Sequence, residues 1–462
     1  MMNHRRALAV SIWLFAATAS FAFQDGRFGS VTRITRVYRR FIPSSTSCNA
    51  MNHKRNAENE LSSLRIGIAG AGAVAFGMAS ILSKNGHGDV TMWSPSGKGT
   101  ADLIQKNDEA QSCIRSTGAL HHECVPRIAL DAEQLVMESD VLIVALPANG
   151  HKQVFDALAP HLSSLSTSPS EPTKHIIISS HASLGALYFS QLLHRFGNRH
   201  HTITCWGTTV CTARRTSGQT VDIKTIRKSV DTCCVPEEES SSSLVICSRL
   251  FPDIDFRTRE GLLAISLSNL NPQNHLAISM GNISRMDKGE EWYQFQNITP
   301  TIGGFLEGLD KERLDIATVL GLEVKTVYEH FSLSFHVPIP ESGSISEMCQ
   351  DINKRGNDVY GPNVADSRYI TEDVPFGLAL IVALGKLVGR PAILHESGLL
   401  ICNAMYGRDF AAENDLLQAI SMDNTSLKDL KEAARTGELP TNSLHLVSSS
   451  LHENPQRVQR QY

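Results

Sequence analysis

The stretch LRIGIAGAGAVAFGMASILSKNGHGDVTMWSPSGKG, residues 64–99, sets the architecture of the first half of the chain. An apolar strand from Leu64 to Ala69 is followed by a glycine-rich turn and by a helix with an apolar face over 74–83. A second strand covers 90–93. This order, within about thirty residues, is the β-α-β unit that binds dinucleotides. We therefore predict a Rossmann-like NAD(P)-binding domain over residues 61–255.

The glycine-rich turn contains the pattern Gly-x-Gly-x-x-Ala. Gly70 permits the tight turn, Gly72 lets the backbone approach a pyrophosphate, and Ala75 keeps helix and strand close. The start of the helix attracts the phosphate charge. We predict these three residues as cofactor contacts, against the alternative of a tight turn without a ligand.

The residues after the second strand bear on the choice between the two nicotinamide cofactors. An acid there would hold the ribose hydroxyls of NAD, but the sequence after Trp93 is Ser-Pro-Ser-Gly-Lys. Ser94 and Lys98 are better suited to the extra phosphate of NADP. NADP(H) is favoured and NAD(H) is the alternative, in which Lys98 is a solvated loop residue.

Further apolar runs extend the predicted sheet. The run DVLIVALPANGH, residues 140–151, predicts a buried strand that ends at Pro147, in a loop at the carboxyl edge where ligands bind. Pro147 is a predicted cofactor contact. His151 could touch the cofactor or the substrate, but a lone histidine after a strand is more often a structural hydrogen-bonding residue. The runs HIIISS (175–180), TITCWG (202–207) and SLVICS (243–248) predict more strands, with the residues at 237–243 forming a solvated loop.

After Phe256 the pattern changes to long helical periodicity, and a second, helical domain is expected over 256–440. In NPQNHLAISMGNI, Asn271, His275 and Asn282 recur at helical spacing, on one face. Burying a polar group without a hydrogen-bond partner costs about 1–3 kcal/mol of stability. A polar face on an otherwise apolar helix therefore indicates a role other than packing. A satisfied core histidine is the alternative. Further on, Thr299 is the expected start and Gly321 the expected end of a long helix.

Arg368 and two acids stand together in RYITEDVP, residues 368–375. Thr371 is the expected N-cap of a helix that runs to about Val388, with Glu372 and Asp373 in its first turn. Capping does not account for Arg368. An arginine binds carboxylates in a two-pronged fashion, and an aspartate holds a histidine in one tautomer. His275 and Asp373 are therefore a candidate acid/base pair, with Arg368 as an anion clamp.

These motifs, together with LDKERLDIATVLGL (309–322), resemble those of the NAD/NADP-dependent octopine and nopaline dehydrogenases, the opine dehydrogenases. The resemblance covers about residues 64–437. It implies an α/β Rossmann-like domain joined to an all-α domain, in a 6-phosphogluconate-dehydrogenase-like arrangement, with the active site in the cleft between them.

The resemblance also implies a reaction, in which an amino acid and a 2-oxo acid are reductively condensed through an imine with NADH or NADPH. On this chain it implies that His275 exchanges the proton, Asp373 orients it, and Arg368 holds a substrate carboxylate, with Asn271 on the same helix face as a substrate contact. Two departures stand out. Ala73, Val74 and Ala75 stand where the family commonly has an asparagine and further glycines in the turn, and Leu276 follows His275 where proline is usual.

Composition narrows the classes of partner. The 462 residues carry a formal net charge of -4, which gives no global attraction for nucleic acid or an anionic membrane. The ten cysteines contain no Cys-x-x-Cys pair, so we expect free thiols and no metal. We expect small-molecule partners, with a homodimer left open.

The alternatives to the opine dehydrogenase function are a two-domain dehydrogenase of a hydroxy acid or sugar phosphate, and a non-catalytic cofactor-binding sensor.

Residues 1–60 are predicted to be a targeting leader. Arg5 and Arg6 precede an apolar run over 7–17 and a small-residue stretch, which is a signal-peptide pattern. The following residues to 55 are rich in arginine and carry one acid, Asp25, as transit peptides do. The combination resembles the two-part plastid leader of algae whose plastids lie inside the endomembrane system; secretion is the alternative. Residues 441–462 are expected to be a flexible tail.

A fluorescent protein that carries residues 1–60 at its N-terminus should accumulate in the plastid when expressed in such an alga, as seen by microscopy. A matched fusion that retains 1–23 but lacks 24–60 should be secreted instead, because the transit-like part is missing. Secretion of the complete fusion would favour the alternative destination.

Overall fold

The computed structural model describes residues 64–104, 113–163, 174–198 and 201–439. The predicted leader and the predicted tail lie outside these residues. The described chain begins with the β-α-β unit and ends in a helix that packs against another part of the same α/β half.

In the part of the chain that the structure describes, twelve strands form two sheets. In chain order they are β1 (Ile66–Ala69), β2 (Val90–Trp93), β3 (Ile114–Gly118), β4 (His122–Cys124), β5 (Arg127–Ile128), β6 (Val141–Val144), β7 (His175–Ile178), β8 (Thr202–Trp206), β9 (Cys211–Arg215), β10 (Thr220–Ile226), β11 (Ser229–Val235) and β12 (Asp255–Thr258).

Fifteen α-helices are present in the described residues. They are α1 (Ala73–Lys84), α2 (Ala132–Met137), α3 (His151–Ser163), α4 (Gly185–Arg195), α5 (Ser240–Leu250), α6 (Gly261–Leu267), α7 (Asn271–Asp287), α8 (Pro300–Leu320), α9 (Val327–Phe335), α10 (Ile345–Lys354), α11 (Arg368–Thr371), α12 (Ala379–Leu387), α13 (Ile393–Tyr406), α14 (Asp415–Ala419) and α15 (Leu427–Thr436). A five-residue π-helical turn, Val374–Leu378, precedes α12.

The larger sheet has eight strands in the order β12-β11-β8-β7-β6-β1-β2-β5. The strands from β8 to β5 are parallel, and β11 and β12 run the opposite way. Strands β1, β2, β6 and β7 are buried along their whole length, as parallel strands covered on both faces are. The strand order reverses between β1 and β6, and the crevice outside their carboxyl ends is where such sheets bind ligands.

The smaller sheet, in the order β4-β3-β10-β9, covers the outer side of α1. The guanidinium of Arg215 lies 4.3 Å above the Phe76 ring. It also donates to the carbonyl of Ala71 in the glycine-rich turn, at 3.2 Å, and to that of Gly99 at 3.1 Å. Helix α1 is thus held between two sheets, and Arg215 ties the turn to the loop after β2.

One predicted strand is wrong. The run SLVICS lies inside α5, and the preceding acidic residues form a short 3-10 turn, Glu237–Glu239. Ser243, Cys247 and Leu250 are the buried residues of α5, and their spacing of four and three is that of one helix face. The run contains β-branched residues and so resembled a strand. Six residues are too few to show the helical spacing of the buried positions.

The predicted α/β fold followed by a helical domain is confirmed. The described strands end at Thr258, and the helices of the second half enclose a core of their own around Leu276, Leu309 and Phe331. Helix α8 begins at Pro300 with Thr299 as its N-cap and ends at Gly321, whose φ of 76° is left-handed, as predicted.

Helices α6, α14 and α15 pack against the α/β half although they follow Phe256 in the chain. The carbonyl of Gly437 accepts hydrogen bonds from Ser190 at 2.8 Å and from Gln191 at 2.7 Å, both in α4. The α/β half is therefore covered partly by helices that follow it in the chain.

A buried ion pair organises the helical half. Arg313 and Asp310 in α8 are almost completely buried, and Arg313 Nε donates to Asp310 Oδ1 at 3.0 Å. The other guanidinium nitrogens donate to the carbonyls of Leu267 and Lys325, and Asp310 Oδ2 accepts the Val327 N–H at 2.9 Å. Every charge is thus hydrogen-bonded; removing one partner of such a pair typically costs about 3–5 kcal/mol.

Nine cysteines are described, and all are free thiols. Within the described parts of the chain, no group of three or more His, Cys, Asp or Glu residues is placed to hold a metal ion. Among the helices that the structure describes, none is long and apolar enough to cross a membrane.

Three buried histidines should make the fold sensitive to acid. Burial lowers the pKa of His151 and His175 to about 4 and that of His181 to about 3. The unfolded chain binds these protons near pH 6.5 and the folded chain does not, so the free energy of unfolding should fall as pH drops below 6.5, by about 1.4 kcal/mol per pH unit for each histidine. Urea unfolding at pH 7.5, 6.5 and 5.5 measures this slope.

His175→Gln should flatten the slope, since glutamine can keep the hydrogen bond to Thr204 without titrating. His121→Gln, at an exposed position, is the matched control and should leave the slope unchanged. A stability that does not change between pH 6.5 and 5.5 would contradict neutral buried imidazoles.

Candidate active site

A cavity of about 240 Å³ lies between the α/β half and the helical half. The α/β half lines it with the loops that follow β6 and β7, at the carboxyl edge of the sheet. The helical half lines it with residues around the start of α7 and with six residues between positions 368 and 377. Four residues singled out in the sequence meet there: Asn271, His275, Arg368 and Asp373.

His275 and Asp373 form a hydrogen-bonded pair although they are 98 residues apart. Nδ1 of His275 lies 2.7 Å from Oδ2 of Asp373, and the two side chains are 13% and 15% exposed. The carboxylate can only accept, so Nδ1 carries the proton and Nε2 is left for proton exchange. The arrangement is that of an oriented general acid/base in a cleft.

Tyr369 is a site residue that the sequence did not reveal. Its ring stacks on the imidazole of His275, with the ring centroids 3.5 Å apart and the planes within 7°. Its hydroxyl donates to Gln294 Oε1 at 2.7 Å. Burial, with the nearby Asp373 charge, raises the pKa of Tyr369 to about 12, so the hydroxyl stays protonated. Asp373 and Tyr369 together fix the imidazole in its plane.

Arg368 has a partner in its own segment. Its Nε and Nη2 lie 2.6 and 2.5 Å from Oε2 of Glu372, while its side chain is 71% exposed and that of Glu372 is 16% exposed. The other oxygen of Glu372 accepts the N–H of Ala148, in the loop after β6, at 3.0 Å. Glu372 therefore joins the two halves. From the sequence, Glu372 had been expected only to stabilise the start of a helix.

The expected N-cap at Thr371 is wrong. Helix α11 begins at Arg368 after Ser367, and Thr371 donates its hydroxyl to the Ser367 carbonyl at 3.1 Å. The chain then passes through the π-helical turn, which contains Pro375 and so cannot keep regular helical hydrogen bonds.

The carbonyls of the π-helical turn are satisfied from outside. Asn414 Nδ2 donates to the Pro375 carbonyl at 2.8 Å, and Ser183 of the α/β half donates to the Phe376 carbonyl. Asn414 also donates to Ser183 Oγ at 3.0 Å. The turn next to the site is thus fixed by a buried network that crosses from one half to the other.

The three polar residues predicted on one face of α7 separate in the structure. Asn271 and His275 line the cavity. Asn282 is buried and donates to the Ile278 carbonyl of its own helix at 3.0 Å, away from the site. Seven residues bring a side chain back to nearly the same face, but they also move it about 10 Å along the helix axis.

The glycine-rich turn fits a pyrophosphate. Gly70 has a φ of 131°, and a Cβ there would lie 2.2 Å from the Ala145 carbonyl oxygen, so glycine is required. Gly72 precedes α1, and a Cβ there would meet nothing within 4 Å, which leaves the start of the helix open. Ala75 is fully buried. The helix start and the open glycine suit a phosphate group.

The other predicted cofactor contacts lie in the loops that follow β2 and β6. Ser94 is nearly buried at the end of β2, and its hydroxyl accepts the Gly99 N–H at 3.3 Å. Lys98 is exposed in the same loop, and Pro147 is exposed next to Ala148, which lines the cavity. None of the six predicted cofactor contacts lines the cavity itself. His151 is fully buried and bonds the Leu146 carbonyl, which is a structural role.

The loop after β7 carries strained backbone beside the cavity. Ser180, Ser183 and Leu184 have φ of 62°, 48° and 55°, values that residues other than glycine seldom adopt. Ser180 lines the cavity and Ser183 makes the contacts to the helical half. No residue in this loop is a glycine that would have signalled such a conformation, so the sequence held no cue for it.

Comparisons with known proteins find matches to both halves of the chain. The family model described as NAD/NADP octopine/nopaline dehydrogenase, alpha-helical domain, matches residues 258–406. The model described as NADP oxidoreductase coenzyme F420-dependent matches residues 65–168. The opine dehydrogenase of Arthrobacter sp. (strain 1C) is 26% identical over 299 residues, which are 64% of this chain and 79% of that protein.

Solved structures share the fold. Octopine dehydrogenase in complex with NADH and agmatine superposes with a TM-score of 0.66 at 16% identity, covering 82% of this chain and 99% of that one. Yersinopine dehydrogenase with NADP+ bound gives 0.57 at 15% identity, covering 78% and 98%. Residues 258–406 therefore carry the helical domain of the NAD/NADP octopine/nopaline dehydrogenases, and the chain is an opine dehydrogenase-like, NAD(P)-dependent oxidoreductase that acts on CH–NH groups.

Proposed function

We propose that this protein reductively condenses the amino group of an amino acid with a 2-oxo acid, through an imine, to give a secondary amine. The observation that carries the proposal is the His275–Asp373 pair, set beside Arg368 in a cavity at the carboxyl edge of the sheet. The related opine and octopine dehydrogenases named above support the choice of reaction.

The cofactor would be held by the glycine-rich turn at Gly70 and Gly72 and by the loop after β2. When bound, NADPH supplies the hydride. Lys98 has no ion-pair partner among the described residues, and Ser94 stands at the end of β2, so both suit an added 2'-phosphate better than a ribose diol. NADP(H) is the proposed cofactor and NAD(H) the alternative.

His275 is the proposed proton carrier. Loss of water from the first adduct of amine and oxo acid needs a proton on the leaving oxygen, and an imine accepts a hydride at carbon when its nitrogen is protonated. Nε2 of His275 can supply these protons, while Asp373 keeps Nδ1 protonated and stabilises the imidazolium. Tyr369 restricts the ring so that Nε2 keeps one direction.

Arg368 is the proposed clamp for a substrate carboxylate. Its guanidinium is largely exposed at the cavity, and its planar set of donors matches a carboxylate. Asn271, at the start of α7, offers an amide to the same substrate. Both substrates carry a carboxylate. Arg368 can bind one of the two, so the carboxylate of the other substrate needs different donors.

Oxidation of NADPH on mixing substrates tests the reaction. Panels of amino acids and 2-oxo acids are mixed with the protein and NADPH, and NADPH is followed by its absorbance. NADPH should be consumed only when one amino acid and one 2-oxo acid are both present. Consumption with an oxo acid alone would point to a hydroxy-acid dehydrogenase. A protein that binds NADPH but consumes none with any pair would contradict the proposal.

His275→Asn should lower kcat by about 10²- to 10⁴-fold, because a positioned acid/base group contributes on that scale, and should leave the Kd for NADPH unchanged. Steady-state kinetics and quenching of NADPH fluorescence measure the two. His121→Asn, at an exposed position, is the control. An equal loss of NADPH binding and turnover would mean that His275 belongs to the cofactor site.

Lys98→Ala should raise the Kd for NADPH by about three- to tenfold and leave that for NADH within twofold, since an exposed charge-assisted contact is worth about 1 kcal/mol. Lys84→Ala, at the end of α1, is the matched control for loss of a positive charge. Parallel changes for both cofactors would show that Lys98 does not read the 2'-phosphate.

A further inference from the structure

Glu372 occupies an unusual place in the cavity. One carboxylate oxygen accepts the N–H of Ala148, at 3.0 Å, and the other accepts Nε and Nη2 of Arg368. Glu372 and Ala148 belong to different halves of the protein. The side chain is mostly buried while Arg368 is mostly exposed, so the acid is held on the inner side of the arginine.

The donors around Glu372 are those that a substrate carboxylate would need. An arginine edge and a backbone N–H together form a strong carboxylate-binding set. Arg368 offers its Nε and Nη2 edge, with its proper fork geometry, and that edge is already bound to Glu372. A carboxylate ligand therefore has to displace Glu372 or use the remaining Nη1 side.

The charges in the cavity oppose a carboxylate ligand as long as Glu372 is bound to Arg368. Arg368 brings one positive charge, and Glu372 and Asp373 bring two negative ones. Asp373 is committed to His275. While Glu372 stays in place, its charge cancels that of Arg368 and repels an incoming carboxylate. Movement of Glu372 would restore the attraction and free the Ala148 N–H.

Glu372 does not fill the ordinary role of an acid near a helix start. Its oxygens are bound to Ala148 and Arg368, and no contact to the N–H groups of the following turn is present. Nor is it the sole tie between the halves in the described structure, because Ser183 donates to the Phe376 carbonyl and Asn414 joins the same network. Its release leaves those contacts in place.

We propose that Glu372 is an internal carboxylate that occupies the substrate-carboxylate site, and that the 2-oxo acid binds Arg368 by displacing it. Glu372 thus sets the affinity for the oxo acid and discriminates against weak carboxylate ligands. This inference rests on the proposed function, in which Arg368 is the clamp. An alternative role, in which Glu372 receives the ammonium group of the amino acid, makes a different prediction for the same variants.

The test measures equilibrium binding of pyruvate to the full-length protein saturated with NADPH, by isothermal titration calorimetry without an amino acid. Glu372→Gln keeps an acceptor for the Ala148 N–H and removes the charge that holds Arg368. We expect the Kd for pyruvate to fall by about three- to tenfold. Glyoxylate and 2-oxoglutarate are titrated in the same way and should follow the same trend.

Two further variants isolate the effect. Arg368→Ala should weaken pyruvate binding at least tenfold, and adding Glu372→Gln to it should improve binding by a smaller factor than Glu372→Gln does alone, since the competition for Arg368 is gone. Glu413→Gln is the matched control: it breaks a two-pronged pair with Arg408 outside the cavity and should leave the Kd unchanged.

An unchanged Kd in Glu372→Gln would overturn the proposal and leave Glu372 as a tie between the halves. Weaker pyruvate binding would also overturn it. A raised KM for the amino acid alone would assign Glu372 to the ammonium group. Glu372→Ala is the second variant, with the same expected direction; if neither variant folds, as judged by circular dichroism, Glu372 is structural and the proposal fails.

Failure of the proposed function is recognised separately. Binding of pyruvate needs no turnover, so tighter binding by Glu372→Gln would stand even if no pair of substrates were condensed. Absence of binding for all three oxo acids, in the parent and in the variants, would remove both the clamp and its internal competitor.

Discussion

The site depends on how one short segment turns between Arg368 and Leu378. Glu372 and Asp373 are neighbours, and neighbouring side chains in a helical segment point about 100° apart. One carboxylate can therefore reach Ala148 in the α/β half while the other reaches His275 in the helical half. The π-helical turn that follows, with Pro375 in it, sets where this segment ends. In a regular helix the backbone carbonyls of this segment would accept hydrogen bonds from the helix's own N–H groups. They would then not be available to Ser183 and Asn414.

The two acids and the tyrosine that line the cleft are paired within the protein. Asp373 is bound to His275, Glu372 to Arg368, and Tyr369 to Gln294. Paired groups lose little freedom when a ligand binds, so the acid/base pair can be held in a working geometry from the start. The strained loop after β7 contributes to the same end, since Ser183 is fixed in a left-handed conformation while it bonds the Phe376 carbonyl.

Much of the site could be predicted because its signals are local. His275, Asp373 and Arg368 were candidates from a polar face on an apolar helix and from an arginine that capping did not account for, the resemblance to opine dehydrogenases favoured them, and the structure brings them to one cavity. The residues that were missed or misjudged depend on contacts across the chain. Tyr369 stacks on a residue 94 positions away (369 − 275), and Glu372 bonds one 224 positions away.

By itself the sequence determined the β-α-β unit, the order of an α/β half and a helical half, and the ends of α8, because strand, helix and turn preferences act over a few neighbouring residues. Tertiary structure alone decided that SLVICS is helical, that Asn282 leaves the site, that α15 returns to the sheet, and which partner each of two adjacent acids takes. Those outcomes depend on which surfaces are buried together, and burial is a property of the whole packed chain.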